Sequence, residues 1–112
     1  MVTEVETAWL AGLIEGEGCI WVQKWTHRGR YAYPGLRLAM TDEDVVRKAH
    51  TMSGVGTFRR WHPPSFSQHQ PQWVWTVLGV RAFEVCDQVY PHLGERRRAK
   101  IDEIRPFVRG MA

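Results

Sequence analysis

Little in this sequence would cross-link or anchor it. Only two cysteines occur, Cys19 and Cys86, both inside stretches that read as regular elements. That excludes a disulfide-stapled scaffold and fits a reducing, intracellular setting. No apolar run approaches the roughly 20 residues of a membrane span, and no signal-peptide pattern is visible, so no membrane partner is expected. The five histidines, His27, His50, His62, His69 and His92, show no zinc-finger spacing with the cysteines, and order alone suggests no Ser-His-Asp or Cys-His arrangement. There is no internal repeat. Excess charge of one sign is small: 15 Lys and Arg against 12 Asp and Glu leave a net +3, with a pI near 9.2. This permits a polyanionic partner without demanding one. The 112 residues are expected to form one domain, residues 1–112, large enough to bury roughly 60–70% of the unfolded surface.

What the chain does have is a glycine-spaced stretch, Trp9-Leu10-Ala11-Gly12-Leu13-Ile14-Glu15-Gly16-Glu17-Gly18, and six tryptophans. Thr3 followed by Glu6 is a capping-box pattern, which predicts a helix from near Glu4 through Trp9, Leu10, Leu13 and Ile14. Ala8, Gly12 and Gly16 recur every four residues and so share one helix face, where another backbone can approach closely. Glycine in a helix interior costs about 1 kcal/mol relative to alanine, and a closely packed partner helix is the simplest reason to tolerate it. The helix ends on Glu15 and Glu17, although a helix C-terminus carries partial negative charge. A cation is therefore expected nearby. One reading is a solvated terminus; the other is a site for a hard divalent ion, which takes carboxylate oxygens.

Leu10 to Gly18, LAGLIEGEG, resembles the signature of the LAGLIDADG homing endonucleases, with Glu15 and Glu17 in the two acidic positions and Gly16 in the small one. Both acids are Glu rather than Asp, a departure that displaces each carboxylate by one methylene. The resemblance implies that two motif helices pack together, so a single-motif chain acts as a homodimer. Its interface would comprise Ala8, Trp9, Ala11, Gly12, Glu15 and Gly16, with Trp9 also reading as core. It further implies Mg²⁺, with Mn²⁺ as a substitute, bound by Glu17 with Gly16 beside it, and Glu15 in a supporting role. Two Glu17 carboxylates near a two-fold axis would repel unless cations lay between them.

Onward from the motif, Cys19–His27 and Ala32–Met40 read as strands and Thr41-Asp42-Glu43-Asp44 as the start of a helix stopped by Ser53-Gly54. Strands follow at Thr57–Trp61 and Trp73–Leu78, with a loop between them. A helix runs from Val80 to Tyr90, ended by Pro91, and a short last one from Glu95 to about Arg105, terminated by Pro106. The expected fold class is α+β: an αββαββα core with a four-stranded antiparallel sheet covered by helices on one face, plus a short C-terminal helix. The same order is that of the resembled family, so the likeness spans nearly the whole chain.

Strand alternation assigns Ile20, Val22, Leu36, Leu38, Phe58, Val74 and Leu78 to the helix-covered face. The opposite face would collect Trp21, Gln23, Trp25, His27, Tyr33, Arg37, Arg59, Trp61, Trp73 and Trp75, with Arg28 and Arg30 in the adjoining loop. Arginine and glutamine read base edges or phosphates, and a β-ribbon fits the major groove, so this face is the expected site for double-stranded DNA. For Trp73 and Trp75 a second small core or a dimer contact is the equal alternative. The basic run Arg96-Arg97-Arg98-Ala99-Lys100 opens a helix, where cations oppose the local potential unless an anion is near.

The resemblance makes Arg96, or Arg97 or Arg98, the basic residue beside the metal, and places Asp42 where a polar residue orders water, although Asp42 also reads as a helix cap. The expected function is a metal-dependent, site-specific DNA endonuclease that hydrolyses phosphodiester bonds as a homodimer on a near-palindromic site. The alternatives are a non-catalytic nucleic-acid-binding protein on the same scaffold, such as an RNA maturase or a DNA-binding regulator, and a small dimeric interaction domain.

Overall fold

Helix α1, Glu4–Glu17, begins where its cap predicts. The Thr3 N–H donates to Glu6 Oε1 at 3.0 Å, and the Glu6 N–H donates to Thr3 Oγ1 at 3.1 Å, satisfying two of the four orphan donors of a helix start. The structure, a computed structural model, describes residues 3–25, 31–64, 68 and 70–108, with the backbone alone at 23–25, 31, 32 and 107. After α1 come strands β1 (Gly18–Trp25) and β2 (Tyr31–Met40), helix α2 (Glu43–Ser53), strands β3 (Thr57–Trp61) and β4 (Gln72–Leu78), and helix α3 (Val80–Val89). A 3₁₀ turn at Tyr90–His92 and helix α4 (Glu95–Val108) complete it. This α+β order is the expected one.

The four strands form an antiparallel sheet in the order β1-β2-β4-β3. Leu36 pairs with Ile20 on one side and Val77 on the other, and Leu38 pairs with Gly18 and Trp75, so these residues share the face turned to the helices. There they meet Leu10, Ala11 and Ile14 of α1, Val46 and Ala49 of α2, Ala82, Val85 and Val89 of α3, and Ile101 and Ile104 of α4. Each Leu or Ile fully buried in this cluster stabilises the fold by roughly 1.5–3 kcal/mol.

The register corrects the phase expected for β4. Met40 pairs with Trp73 and Leu38 with Trp75, which puts both tryptophans under the helices rather than on the open face, while Val74, itself buried, and the exposed Leu78 turn to the other face. Trp75 is fully buried at 0% exposure, and its indole Nε1–H donates to the Val55 carbonyl at 2.9 Å, so its one polar atom has a partner. Trp73 stacks on Phe58 at 5.4 Å and 9°, with the Arg60 guanidinium 5.6 Å from its ring and the Arg47 guanidinium 4.7 Å from Phe58. These cations close the edge of the core.

The C-terminal helix also departs from expectation: α4 is as long as α1 and passes through Pro106 to Val108. A proline in a helix interior costs ~3 kcal/mol or more, but Pro106 lies in the last turn and is exposed. Val108, at 8% exposure, joins Ile101 and Ile104 on the buried side, and that packing carries the helix past the proline. Pro91 does end the α-helical geometry of α3, though the chain continues as the 3₁₀ turn.

Candidate nucleic-acid interface

The cation expected at the end of α1 comes from the far end of the chain. The Arg97 Nε–H donates to Glu15 Oε2 at 3.0 Å and to the Glu15 carbonyl at 3.2 Å, while the Gly94 N–H donates to Glu15 Oε1 at 2.6 Å. Arg97 thus satisfies a free carbonyl of the α1 C-terminus, and the Glu15 carboxylate offers an anion to the α4 N-terminus. The Gly94 N–H above all, helped by the bond and charge of Arg97 and the charge of Arg96, holds the Glu15 carboxyl below its ordinary value against the opposing effect of burial, which is second only to the Gly94 bond. The Arg97 side chain is only 14% exposed, so this guanidinium is committed to the fold.

Glu17 has the opposite surroundings. It lies two residues further on, about 200° around the helix at 3.6 residues per turn, is exposed, and makes no hydrogen bond or ion pair among the described residues. Beside this helix end a cavity of about 230 Å³ is lined by Ile20, Arg96, Arg97 and Lys100. Arg96 and Lys100 are one helical turn apart on α4, so their charges add on one side of it. Lys100 Nζ also stands 3.8 Å from Glu103, and Arg98 is not among the lining residues.

No three His, Cys, Asp or Glu side chains gather among the described residues. A hard cation at the end of α1 would therefore meet the Glu17 carboxylate and the Gly16 carbonyl, a last-turn carbonyl without an intrahelical partner. These are the oxygen donors that Mg²⁺ prefers, yet too few for its octahedral shell. The donors fit in kind and leave positions for a second copy of Glu17, phosphate oxygens or water. Asp42 stands at the cap position of α2 without a side-chain cap bond, and it is exposed.

Along α1 the side opposite the core carries Val5, Ala8, Gly12 and Gly16, all exposed, with Val5 at 79%. A Cβ at Gly12 or Gly16 would meet nothing within 4 Å, so neither glycine is required by contacts inside the chain. Trp9 is half-buried at the margin of this face with Lys48 Nζ 4.3 Å from its ring centroid. Ala11 is the correction here: at 0% exposure it belongs to the core side of α1 and not to the open stripe.

The open face of the sheet is organised in cross-strand rows. Trp61 pairs with Gln72; Arg59, Val74 and Ala39 form the next row; then Thr57, Thr76, Arg37 and Cys19; then Leu78, Gly35 and Trp21; and Tyr33 pairs with Gln23. Arg37, Arg59 and Trp61 are exposed, and Trp21 and Tyr33 half-buried. A Cβ at Gly35 would overlap the Trp21 ring, so this indole lies down on the β2 backbone. The side chains of Gln23 and Trp25, and His27, Arg28 and Arg30 altogether, lie outside the described residues.

No protein-family model matches the chain, and no curated protein matches it in sequence. Solved structures do. The homing endonuclease I-CvuI in complex with the I-CreI target superposes with a TM-score of 0.68 at 18% identity, covering 91% of this chain and 65% of that one. The archaeal intron-encoded homing endonuclease I-Vdi141I, complexed with DNA, gives 0.67 at 16%, over 96% of this chain and 69% of its own. The group I intron-encoded I-CeuI, also complexed with DNA, gives 0.64 at 20%, over 97% and 56%. The fold is that of the LAGLIDADG homing endonucleases. The chain spans about 65% of the length of the I-CvuI chain.

Within this LAGLIDADG fold, the structure brings together some of the residues singled out from sequence and separates others. Arg96 and Arg97 meet beside the end of the motif helix, and Trp21, Tyr33, Arg37, Arg59 and Trp61 share the open face. Trp73 and Trp75 leave that face, and Arg97 faces Glu15. Sequence reasoning named Lys100 only as the end of a basic run, and it missed Gly94 and the outward residues Cys19, Thr57, Gln72, Thr76 and Leu78. The four-residue spacing from Arg96 was the available signal for Lys100; nothing in the sequence announces the Gly94 N–H as a partner of Glu15.

Proposed function

We propose that the chain is a metal-dependent, site-specific double-stranded DNA endonuclease that acts as a homodimer on a near-palindromic site. The observation that carries this reading is Glu17: an exposed carboxylate, without a hydrogen bond or ion pair among the described residues, at the end of a helix whose other long side is a bare stripe of small residues. Apposing two such stripes across a two-fold axis gives each glycine the close neighbour it lacks within one chain and brings the two Glu17 residues near each other. The DNA-bound state of I-Vdi141I and I-CeuI on the same fold supports a duplex partner for the open, arginine-bearing face.

Glu17 and the Gly16 carbonyl would hold Mg²⁺, or Mn²⁺ in its place. When bound, the ion supplies a Lewis acid that lowers the pKa of water and neutralises charge on the leaving oxygen. The chain's own groups do the rest. Arg96 and Lys100, which line the α4 cavity, would hold a phosphate by charge and offset the negative charge that builds on it. Arg97 acts indirectly: by fastening Glu15 it fixes the helix end from which Glu17 projects. Asp42, exposed before α2 with no side-chain cap bond, would order water by accepting a hydrogen bond from it.

Plasmid libraries carrying randomised sites, incubated with Mg²⁺, Ca²⁺ or EDTA, test the reading. Cleavage that requires Mg²⁺ and is lost in Glu17→Gln supports it. Salt-dependent duplex binding without cleavage by the unaltered chain would sink the catalytic assignment and leave a non-catalytic nucleic-acid-binding protein.

A further inference from the structure

The rows of the open sheet face differ in chemistry. The row Thr57–Thr76–Arg37–Cys19 is polar, with Arg37 exposed at its centre. The next row, Leu78–Gly35–Trp21, has no polar side-chain acceptor at all. Leu78 is 48% exposed, a large apolar side chain on a surface whose neighbours are arginine and threonine. Trp21 lies flat across Gly35, because only a residue without a Cβ leaves room for the ring there. Directly beyond Leu78, Gly79 takes a positive φ of 71°, its N–H donates to the Pro34 carbonyl at 2.8 Å, and the Tyr33 ring lies 3.6 Å from where a Gly79 Cβ would stand. The turn is thereby pinned, and Leu78 is held at the surface beside the aromatic floor.

We infer that this row is a band that recognises the C5-methyl group of thymine in the major groove, next to the base or phosphate engaged by Arg37. The inference rests on the duplex-DNA reading above and deepens it to a base class. The charge of Arg37 and Arg59 on the same face fits a duplex as occupant, and the thymine methyl is the one apolar group that a base pair presents in that groove. An apolar band offers nothing to the amino and carbonyl groups at the other positions, and leaves them without a partner. The Gly35–Trp21 packing makes the floor shallow enough for a base edge to reach it.

The test uses randomised duplex pools amplified with thymidine, with deoxyuridine in its place, or with deoxyuridine and 5-methylcytosine, each selected for binding in Ca²⁺ by the whole protein. Thymine is expected to be enriched at one position of each half-site. Replacing it there by uracil in the selected duplex weakens binding about fourfold, the value of one buried methyl group, and 5-methylcytosine takes the position in the third pool. In Leu78→Ser, which removes the apolar side chain at an exposed site, the thymine-to-uracil ratio falls toward one while the salt dependence of binding is kept; Trp21→Ser acts likewise. Equal affinity of the unaltered protein for the thymine and uracil duplexes, with binding still salt-dependent, overturns the band and leaves the DNA reading standing. A thymidine pool from which no duplex is enriched, with no salt-dependent duplex binding, overturns both.

Discussion

Across α1, from the side that carries Leu10, Ala11 and Ile14 to the side that carries Ala8, Gly12 and Gly16, the protein passes from complete burial to bare helix. The two carboxylates at its end divide the same way. Glu15 is tied to Gly94 and Arg97, and Glu17 has no partner among the described residues. The contrast teaches that one motif serves two purposes. Its apolar residues and first acid build the chain, whereas its small residues and second acid make no such contacts among the described residues, and on the proposed function they serve a partner helix and a metal ion. A helix consumed entirely by its own fold would not spend glycine on an exposed face, where alanine is better by roughly 0.5–1 kcal/mol.

The division breaks most visibly at the carboxylates. On the proposed function, Glu17→Gln lowers the cleavage rate by about 10³-fold or more and leaves the thermal unfolding midpoint where it was, since that exposed side chain makes no hydrogen bond or ion pair among the described residues; single-turnover cleavage beside a melting curve checks both halves. A variant that melts earlier would show that Glu17 belongs to the structural side.

On the open stripe, the proposed homodimer predicts that Gly12→Leu weakens dimerisation by roughly 10²-fold or more, because a large side chain at the proposed helix contact would be met twice across a two-fold axis. The isolated chain gains roughly 0.5–1 kcal/mol of stability at the same time, as a Cβ there meets no atom within 4 Å. Sedimentation against concentration and urea titration at low concentration read the two effects separately. Loss of folding instead would mean that the stripe is covered by the chain itself.

Ala11→Leu and Ala8→Leu sharpen the contrast between faces at constant chemistry. Ala11 is sealed in the core, so the larger residue is expected to cost ~1–3 kcal/mol by overpacking. Ala8 is exposed, and the same change leaves the monomer's urea midpoint nearly unmoved.

The smallest effect is the pH dependence of Glu15. Its pKa is depressed, so its contribution to stability is fully present above the ordinary glutamate value and is lost as pH falls through the lowered one. Glu15→Gln should therefore be less stable than the parent at neutral pH, with the gap in urea midpoint closing as the solution is acidified below the ordinary glutamate range. A gap that stays constant into acid would show that the carboxylate charge is not what holds α4.

Much of this was legible in the residues. Thr3 and Glu6 announced the start of α1, the alternation of Leu36 and Leu38 against Arg37 gave β2 its phase, and the acidic helix end called for a cation. Strand β4 was not legible, because Trp73, Val74, Trp75, Val77 and Leu78 are apolar on both faces and a period of two has no phase when both sets are alike. Its register against β2, and the hydrogen bond from Trp75 to Val55, chose the face. Pro106 misled in the same way: a local rule ended the helix, and Val108 packing continued it.

By itself, the sequence determined what depends on near neighbours along the chain: the capped helix, its small-residue stripe, the order of strands and helices, and the two acids at the motif's end. Only the tertiary structure decided which acid was spent on the fold. Glu15 meets Gly94 and Arg97 across separations of 79 and 82 residues, and such a contact arises because packing α4 on the sheet brings a helix start against a helix end, where opposite partial charges find each other.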